Sequence, residues 1–245
     1  MKKLLITMAI ATSAMAAMAA TPSQADNPFF HENEWITPHG TYPFNEIRPE
    51  HYMPAFEEGM RQGLAEIDAI VNNTEEPTFA NTIEAYEKSG HMLSLVAGCF
   101  YNLTNSDTNE TLDSIETALT PKMSEYSANI RLNEGLFKRI KAVYDKKDQL
   151  KLNKEQSKLL DDIYESFANN GANLNPEDKQ TYRELSSKLS QLTLLYGQNV
   201  LRATNAWTML ITDESLLAGL NDDTKAILRE NAEKKGVEGW LLNLK

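Results

Sequence analysis

The sequence of 245 residues has a single cysteine, Cys99, and this scarcity excludes several classes of protein. One cysteine forms neither an internal disulfide nor a Cys-x-x-Cys pair for zinc binding or electron exchange. A chain of this length buries about 70% or more of the surface that its unfolded form exposes, so it needs no disulfide or metal ion to fold. We therefore predict that Cys99 is a small, buried, apolar residue.

Positive charge is also scarce. Lysine and arginine number 24 against 35 aspartates and glutamates, which gives a net charge of -11. A surface of this sign repels a phosphate backbone, so we expect no nucleic-acid partner. The hydrophobic share of 41% and the charged share of 24% are typical of a folded, water-soluble chain.

A long apolar run occurs only near the start of the chain. Lys2 and Lys3 precede an apolar segment from Leu4 to Ala20, and small residues lead up to Ala25. This order predicts a signal peptide over residues 1–25, with cleavage after Ala25 favoured over cleavage after Ala19; an uncleaved anchor is the alternative. We expect an exported protein, in a bacterial periplasm or secreted, with no stable membrane association after cleavage.

Prolines and aromatic residues are concentrated in residues 26–49. Proline disfavours regular helix and sheet, so this segment is predicted to be an extended arm that docks its aromatic rings on an apolar surface. The rings in question are those of Phe29, Phe30, Trp35, Tyr42 and Phe44.

After this segment, apolar residues recur with the period of an α-helix as far as residue 204. This pattern predicts one continuous helical domain over residues 50–204. The predicted helices are Glu50–Asn72, Phe79–Leu103 after a Thr78 cap, Thr108–Leu132 with a kink or break at Pro121, and two shorter ones after Asn133 and Asn153.

The strongest helix signal begins at Asn175 and Pro176, an N-cap followed by proline in the first turn. Apolar residues then recur at steps of three and four, at Tyr182, Leu185, Leu189, Leu192, Tyr196 and Val200. This pattern predicts a helix of 25 residues or more that packs along a neighbour.

Residues 205–245 are predicted to start a mixed α/β segment. Trp207–Thr212 and Gly239–Leu244 are typical of strands, and Asn221–Lys235 is typical of a helix stopped by Gly236. Because the sequence stops within the second strand, we expect a truncated segment. The fold class is all-α, a mostly helical bundle with a small β element.

Candidate metal ligands are few. The four histidines are His31, His39, His51 and His91, and no two of them are four residues apart, the spacing that places two ligands on one helical face. His31-Glu32-Asn33-Glu34-Trp35 is half of a His-Glu-x-x-His motif and is predicted to be a surface loop. His51 and His91 are predicted to pack or to face solvent.

Nucleophile and phosphate motifs are absent as well, since the sequence has no Gly-x-Ser-x-Gly elbow and no clustered glycines before a helix. Adjacent carboxylates are interpreted as solvated faces or helix starts. We assign no catalytic, cofactor-binding or metal-binding residue in this chain.

Three blocks of sequence resemble a known family. Asn27-Pro28-Phe29-Phe30, the run from Pro43 to Phe56, and Pro77-Thr78-Phe79-Ala80-Asn81-Thr82-Ile83 are similar to the N-terminal half of the thimet oligopeptidase family of zinc metallopeptidases, although Ala80 departs from the glutamate expected there. Similarity continues through Leu189 to Thr204, with Tyr196 and Asn199 at family positions.

The resemblance implies a two-lobed, mostly helical enzyme that hydrolyses short peptides, either by releasing C-terminal dipeptides or by cutting internally. It also implies one zinc ion in the parent enzyme, held by downstream residues, and a monomeric protein whose partners are short peptides. This chain by itself is then an inactive fragment that binds no metal. The alternative is a non-catalytic helical peptide-binding protein derived from such a peptidase.

Overall fold

A computed structural model describes residues 26–244, and the predicted signal peptide lies outside the described residues. Within that range eight α-helices accompany one small two-stranded sheet, so the predicted all-α fold is confirmed. The helices are α1 Pro49–Val71, α2 Ala85–Glu87, α3 His91–Ser106, α4 Glu110–Arg131, α5 Glu134–Tyr144, α6 Lys154–Asn169, α7 Pro176–Ala206 and α8 Asp222–Lys234; the strands are β1 Thr208–Ile211 and β2 Trp240–Asn243.

Contacts group the described residues into two compact units. The first contains residues 26–63 and Gly90–Asp107, and the second contains Leu64–Ser89 and residues 108–244. The predicted helical domain of residues 50–204 contributes residues to both units, so the boundaries of that domain stay predictions.

The arm before α1 differs from the expected extended segment. It contains two 3-10 helices, Pro28–Glu34 and Pro38–Gly40. The first forms because the Asn27 side chain accepts a hydrogen bond from the Phe29 amide at 3.2 Å, while the ring of Pro28 fixes a helical φ. The predicted extended conformation is therefore wrong over both helices.

Docking of the arm's aromatic rings is confirmed for Phe29 and not for Phe44. Phe29 is buried, and its ring centroid lies 5.6 Å from that of Tyr52 in α1. Tyr52 in turn packs edge-on against Phe100 of α3, with centroids 4.9 Å apart. Phe44 is 55% exposed. The core of the first unit is therefore aromatic, with Phe29 as the arm's anchor.

The predicted helix Phe79–Leu103 is interrupted. A π-helical turn over Phe79–Glu84 leads into α2, and α3 starts only after Gly90, whose φ is 74°. That left-handed conformation ends a right-handed helix, and glycine adopts it without a steric penalty. The Thr78 cap is confirmed, because its hydroxyl accepts a hydrogen bond from the Asn81 amide at 3.1 Å.

Pro121 does not divide the third predicted helix. Helix α4 runs from Glu110 to Arg131 with the proline inside it. Proline removes one intrahelical hydrogen bond, but Pro121 is only half-buried, so water can reach the carbonyl that loses its partner. Of the two predicted outcomes, the break is therefore wrong, and the kink stays a prediction.

The core of the second unit lies where α5, α6 and the π-helical turn meet. Asn133 and Asn153 cap α5 and α6, as predicted, and Gln156 completes a capping box on α6. The fully buried side chains shared by these elements are Ile83, Leu136, Ile140 and Leu160.

Helix α7 is 31 residues long and starts where the sequence predicts, with the Asn175 side chain accepting from the Asp178 amide at 2.9 Å. No residue of α7 is buried, however, and its apolar residues are largely exposed. The predicted packing along a neighbour is confirmed, because α7 lies along α4, but its large apolar residues stay exposed.

Both predicted C-terminal strands are present. They pair antiparallel, with Met209 opposite Leu242 and Ile211 opposite Trp240. Helix α8 connects them in sequence, and its Arg229 guanidinium lies 5.1 Å from the centroid of the Trp240 ring. None of the helices in the described range is long and apolar enough to cross a membrane.

Candidate functional site

The half-motif around His31 is a structural turn. His31 and Trp35 lie in and just after a 3-10 helix, where His31 departs from helical geometry with φ -124°. The Trp35 indole nitrogen donates to the Pro28 carbonyl at 2.9 Å, and Glu32 pairs with His91 at 2.8 Å. These contacts hold the arm together, and they do not align two ligands on one helical face.

His51 has a structural place too. Its Nδ1 accepts a hydrogen bond from the Arg48 amide at 3.0 Å, so the imidazole satisfies a main-chain donor near the start of α1. Burial lowers the pKa of His51, with the Arg48 charge in the same direction and Glu50 opposing. The prediction that His51 packs is confirmed. His91 is exposed, which agrees with the predicted alternative that a histidine here faces solvent.

The described side chains can be compared with the requirements of a metal site. Nowhere between residues 26 and 244 do three His, Cys, Asp or Glu side chains come together in a way that could hold an ion. A zinc site needs at least three protein ligands, so the described residues do not fit one.

Adjacent carboxylates have ordinary partners. Glu58 accepts hydrogen bonds from Arg61 and Gln62, which hold its pKa at about 2. Asp161 pairs with Lys147 at 2.6 Å. A carboxylate with so low a pKa is a poor proton donor, so Glu58 is unsuited to acid–base catalysis.

Cys99 is fully buried in α3 and lies 3.6 Å from the Tyr52 hydroxyl. Burial raises the pKa of its thiol, although the Tyr52 hydrogen bond opposes the shift. A protonated, inaccessible thiol is unreactive. The prediction of a small buried residue is confirmed.

Sequence reasoning missed Arg139, which is buried although charged. Its guanidinium donates to the carbonyls of Asn73 at 2.7 Å and Glu75 at 3.2 Å, which fixes the loop after α1. The available signal was its spacing, because Arg139 falls on the same helical face as Leu136 and Val143.

The second unit contains a groove of about 510 Å³ between α4 and α7. Arg183 is held at its edge by a 2.7 Å hydrogen bond from Nη1 to the Asn129 side chain. The groove offers hydrogen-bond donors and acceptors as well as charges of both signs. Such a lining suits a ligand with charged and hydrogen-bonding groups, such as a peptide. The polar lining residues are Ser124, Glu125, Arg183, Glu184, Ser187, Lys188 and Gln191.

Known proteins similar to this chain are peptidases by name. A dipeptidyl carboxypeptidase of Salmonella typhimurium is 35% identical over 219 residues, which cover 89% of this chain and 32% of that protein. Oligopeptidase A of Escherichia coli is 31% identical over 212 residues, or 86% of this chain and 31% of that protein. A thimet-like oligopeptidase of Dictyostelium discoideum is 26% identical over 202 residues, or 80% of this chain and 29% of that protein. No protein-family model matches the chain.

These matches and the helical fold define the chain as a relative of peptidases. The resemblance to the thimet oligopeptidase family is confirmed over the matched residues. The chain spans about a third of the length of the curated relatives that it matches.

Proposed function

We propose that this chain is part of an exported zinc metallopeptidase that hydrolyses short peptides and removes dipeptides from their C-termini. The similarity over 89% of the chain to a protein named dipeptidyl carboxypeptidase carries the proposal. Oligopeptidase A is less similar, at 31% against 35% identity, and this difference favours dipeptide release over internal cleavage.

The chemistry belongs outside this chain. Zinc would polarise the scissile carbonyl and supply a nucleophilic water, but the 245 residues contain no His-Glu-x-x-His sequence. The described side chains do not fit a zinc site either. We therefore assign zinc to the parent enzyme and no catalytic or metal role to any residue of this chain, which by itself is inactive. Export rests on residues 1–25, with the periplasm or the exterior as destination.

A second function is favoured by the groove between α4 and α7. Its mixture of hydroxyls, carboxylates and cations suits peptide binding without hydrolysis. In that case the chain is a helical peptide-binding protein that descends from a peptidase.

A peptidase assay separates the two functions. The gene product as the organism makes it and the 245-residue chain are each supplied with a short N-blocked peptide, with zinc or with a chelator. We expect zinc-dependent release of C-terminal dipeptides by a product longer than this chain, and no hydrolysis by the chain alone. A matched peptide with an amidated C-terminus should resist cleavage, because it lacks the carboxylate that dipeptide release recognises.

Other outcomes contradict particular parts of the proposal. Equal cleavage of the amidated peptide indicates internal cutting, and zinc-dependent hydrolysis by the 245-residue chain contradicts the absence of a metal site. Saturable peptide binding, measured by calorimetry, without hydrolysis by either protein supports the binding function. Arg183→Met, in the groove, should then weaken binding relative to Lys158→Met, on the exposed surface of α6.

A further inference from the structure

Helix α7 exposes a row of large apolar side chains. Leu185, Leu189, Leu192 and Tyr196 follow one another at steps of four, three and four, and they are 62%, 66%, 52% and 71% exposed. With Val200, 47% exposed, they form what we call the apolar stripe. The 4-3-4 spacing is that of a helix that packs along another helix.

The opposite side of α7 lies against α4, and polar side chains attach it there. Arg183 Nη1 donates to the Asn129 side chain at 2.7 Å, and the Gln198 amide lies 3.5 Å from the Thr117 hydroxyl. A surface helix normally buries its apolar face and exposes its polar face. Helix α7 has no buried residue and turns its large apolar side chains to solvent, so the contact with α4 leaves the apolar stripe uncovered.

The stripe has the dimensions of a helix interface. Fifteen steps along an α-helix separate Leu185 from Val200, a rise of about 22 Å. Charged residues of both signs border the stripe, with Glu184, Lys188 and Arg202 along one edge. An uncharged surface of this extent marks an interaction site, and its spacing fits a second helix that crosses at about 20°.

We propose that the apolar stripe is the docking surface for a helix of the same polypeptide, contributed by the part of the protein that has no counterpart in this chain. The matched relatives have about two thirds of their length outside the matched segment, which leaves ample chain for such a helix. The inference rests on the proposed function, because it takes the chain as part of a longer peptidase.

The edge of the stripe carries both signs of charge, because Glu184 lies on the same helical line as Arg202, five turns away. Charge at this edge therefore does not select the occupant, and the choice of a helix of the same polypeptide rests on the length that the relatives have outside the matched segment.

Cysteine labelling tests the proposal without reference to activity. Leu192→Cys is introduced into the gene product as the organism makes it and into the 245-residue chain, and maleimide labelling rates are measured. Leu192 is exposed, so folding is undisturbed, and the natural Cys99 is fully buried and does not react. Glu165→Cys, at an exposed site on α6, is the matched control.

We expect position 192 to be labelled at least tenfold more slowly than position 165 in the natural product, and at a similar rate in the 245-residue chain. Similar rates at both sites in the natural product overturn the proposal. Slow labelling of position 192 in the 245-residue chain overturns it too: dependence on protein concentration indicates a second copy, and independence indicates a cover from within this chain.

The outcome is separable from that of the peptidase assay. A natural product that protects position 192 but cleaves no peptide supports the interface and contradicts the proposed function. A zinc-dependent peptidase with a freely reactive position 192 supports the function and overturns the interface.

Discussion

The side-chain amide of Asn27 donates a 2.9 Å hydrogen bond to the main-chain carbonyl of His51, 24 residues further along the chain. The same Asn27 side chain accepts from the Phe29 amide, so one buried residue both caps the first turn of the arm and ties it to α1. The arm's attachment therefore depends on a polar side chain as well as on the Phe29 ring.

Asn27→Ala should loosen this attachment. The substitution leaves a buried carbonyl and a buried amide without their partner, at a cost of about 1–3 kcal/mol in the free energy of unfolding. Urea denaturation followed by Trp35 fluorescence checks this, because the Trp35 ring packs on Phe29 at a centroid distance of 6.5 Å. Asn33→Ala, at an exposed site in the same 3-10 helix, is the control and should leave the midpoint unchanged.

Gly59→Ala should destabilise the first unit. An added Cβ at position 59 lies 2.9 Å from both the Cα and the amide nitrogen of Leu93, so α1 and α3 have to separate. Overpacking of this kind costs about 1–3 kcal/mol.

The matched substitution Gly197→Ala should have the opposite sign, because nothing lies within 4 Å of the added Cβ. Alanine in a helix interior is favoured over glycine by about 1 kcal/mol. Thermal denaturation measures both variants, and a shift of the same sign for the two contradicts the close approach of α1 and α3.

Arg139→Met should destabilise the second unit by about 1.5–3 kcal/mol or more, because three hydrogen bonds from a charged donor are lost. The loop carbonyls of Asn73 and Glu75 lose their donor, and hydrogen exchange of that loop should accelerate. Arg139→Lys should recover only part of the loss, since an ammonium group does not reproduce the guanidinium fork. Lys138→Met, at the exposed neighbouring position, should have little effect on either measurement.

Stability should fall on mild acidification through His51. Its pKa in the folded state lies below the ordinary value, chiefly because the imidazole is buried. The folded state therefore binds fewer protons than the unfolded state, so the His51 contribution is fully present above a pH of about 6.5 and is lost as the pH falls through the folded pKa. Protonation also removes the Nδ1 lone pair that accepts from the Arg48 amide.

The test is the unfolding midpoint between a pH of about 7.5 and about 5, a window in which histidine titrates. His51→Gln should flatten the dependence on pH. His39→Asn, at an exposed site whose φ of 60° asparagine tolerates, should retain the wild-type slope. An unchanged slope in His51→Gln contradicts the prediction.

Local signals predicted the helix starts well. Asn133, Asn153 and Asn175 each cap a helix in the structure as in the sequence, because a cap involves only the following turn. The interruption at Gly90 was not predicted, since glycine also occurs within helices. Whether it adopts a positive φ depends on where the flanking segments pack.

Candidate sites were less predictable. The groove joins Glu125 of α4 to Lys188 of α7, two residues far apart in sequence, so no local spacing indicates it. Arg139 has a detectable signal in its apolar neighbours, but two of its three acceptors are main-chain carbonyls, which every residue carries.

The sequence by itself determined the helical fold class, the caps and the relationship to peptidases, because these depend on residue type and on spacing within a few turns. Only the tertiary structure decided which face of α7 lies against α4. Periodicity defines two faces of a helix, whereas the contacts of Arg183 and Gln198 with α4 select the polar one and leave Leu189 and Leu192 exposed.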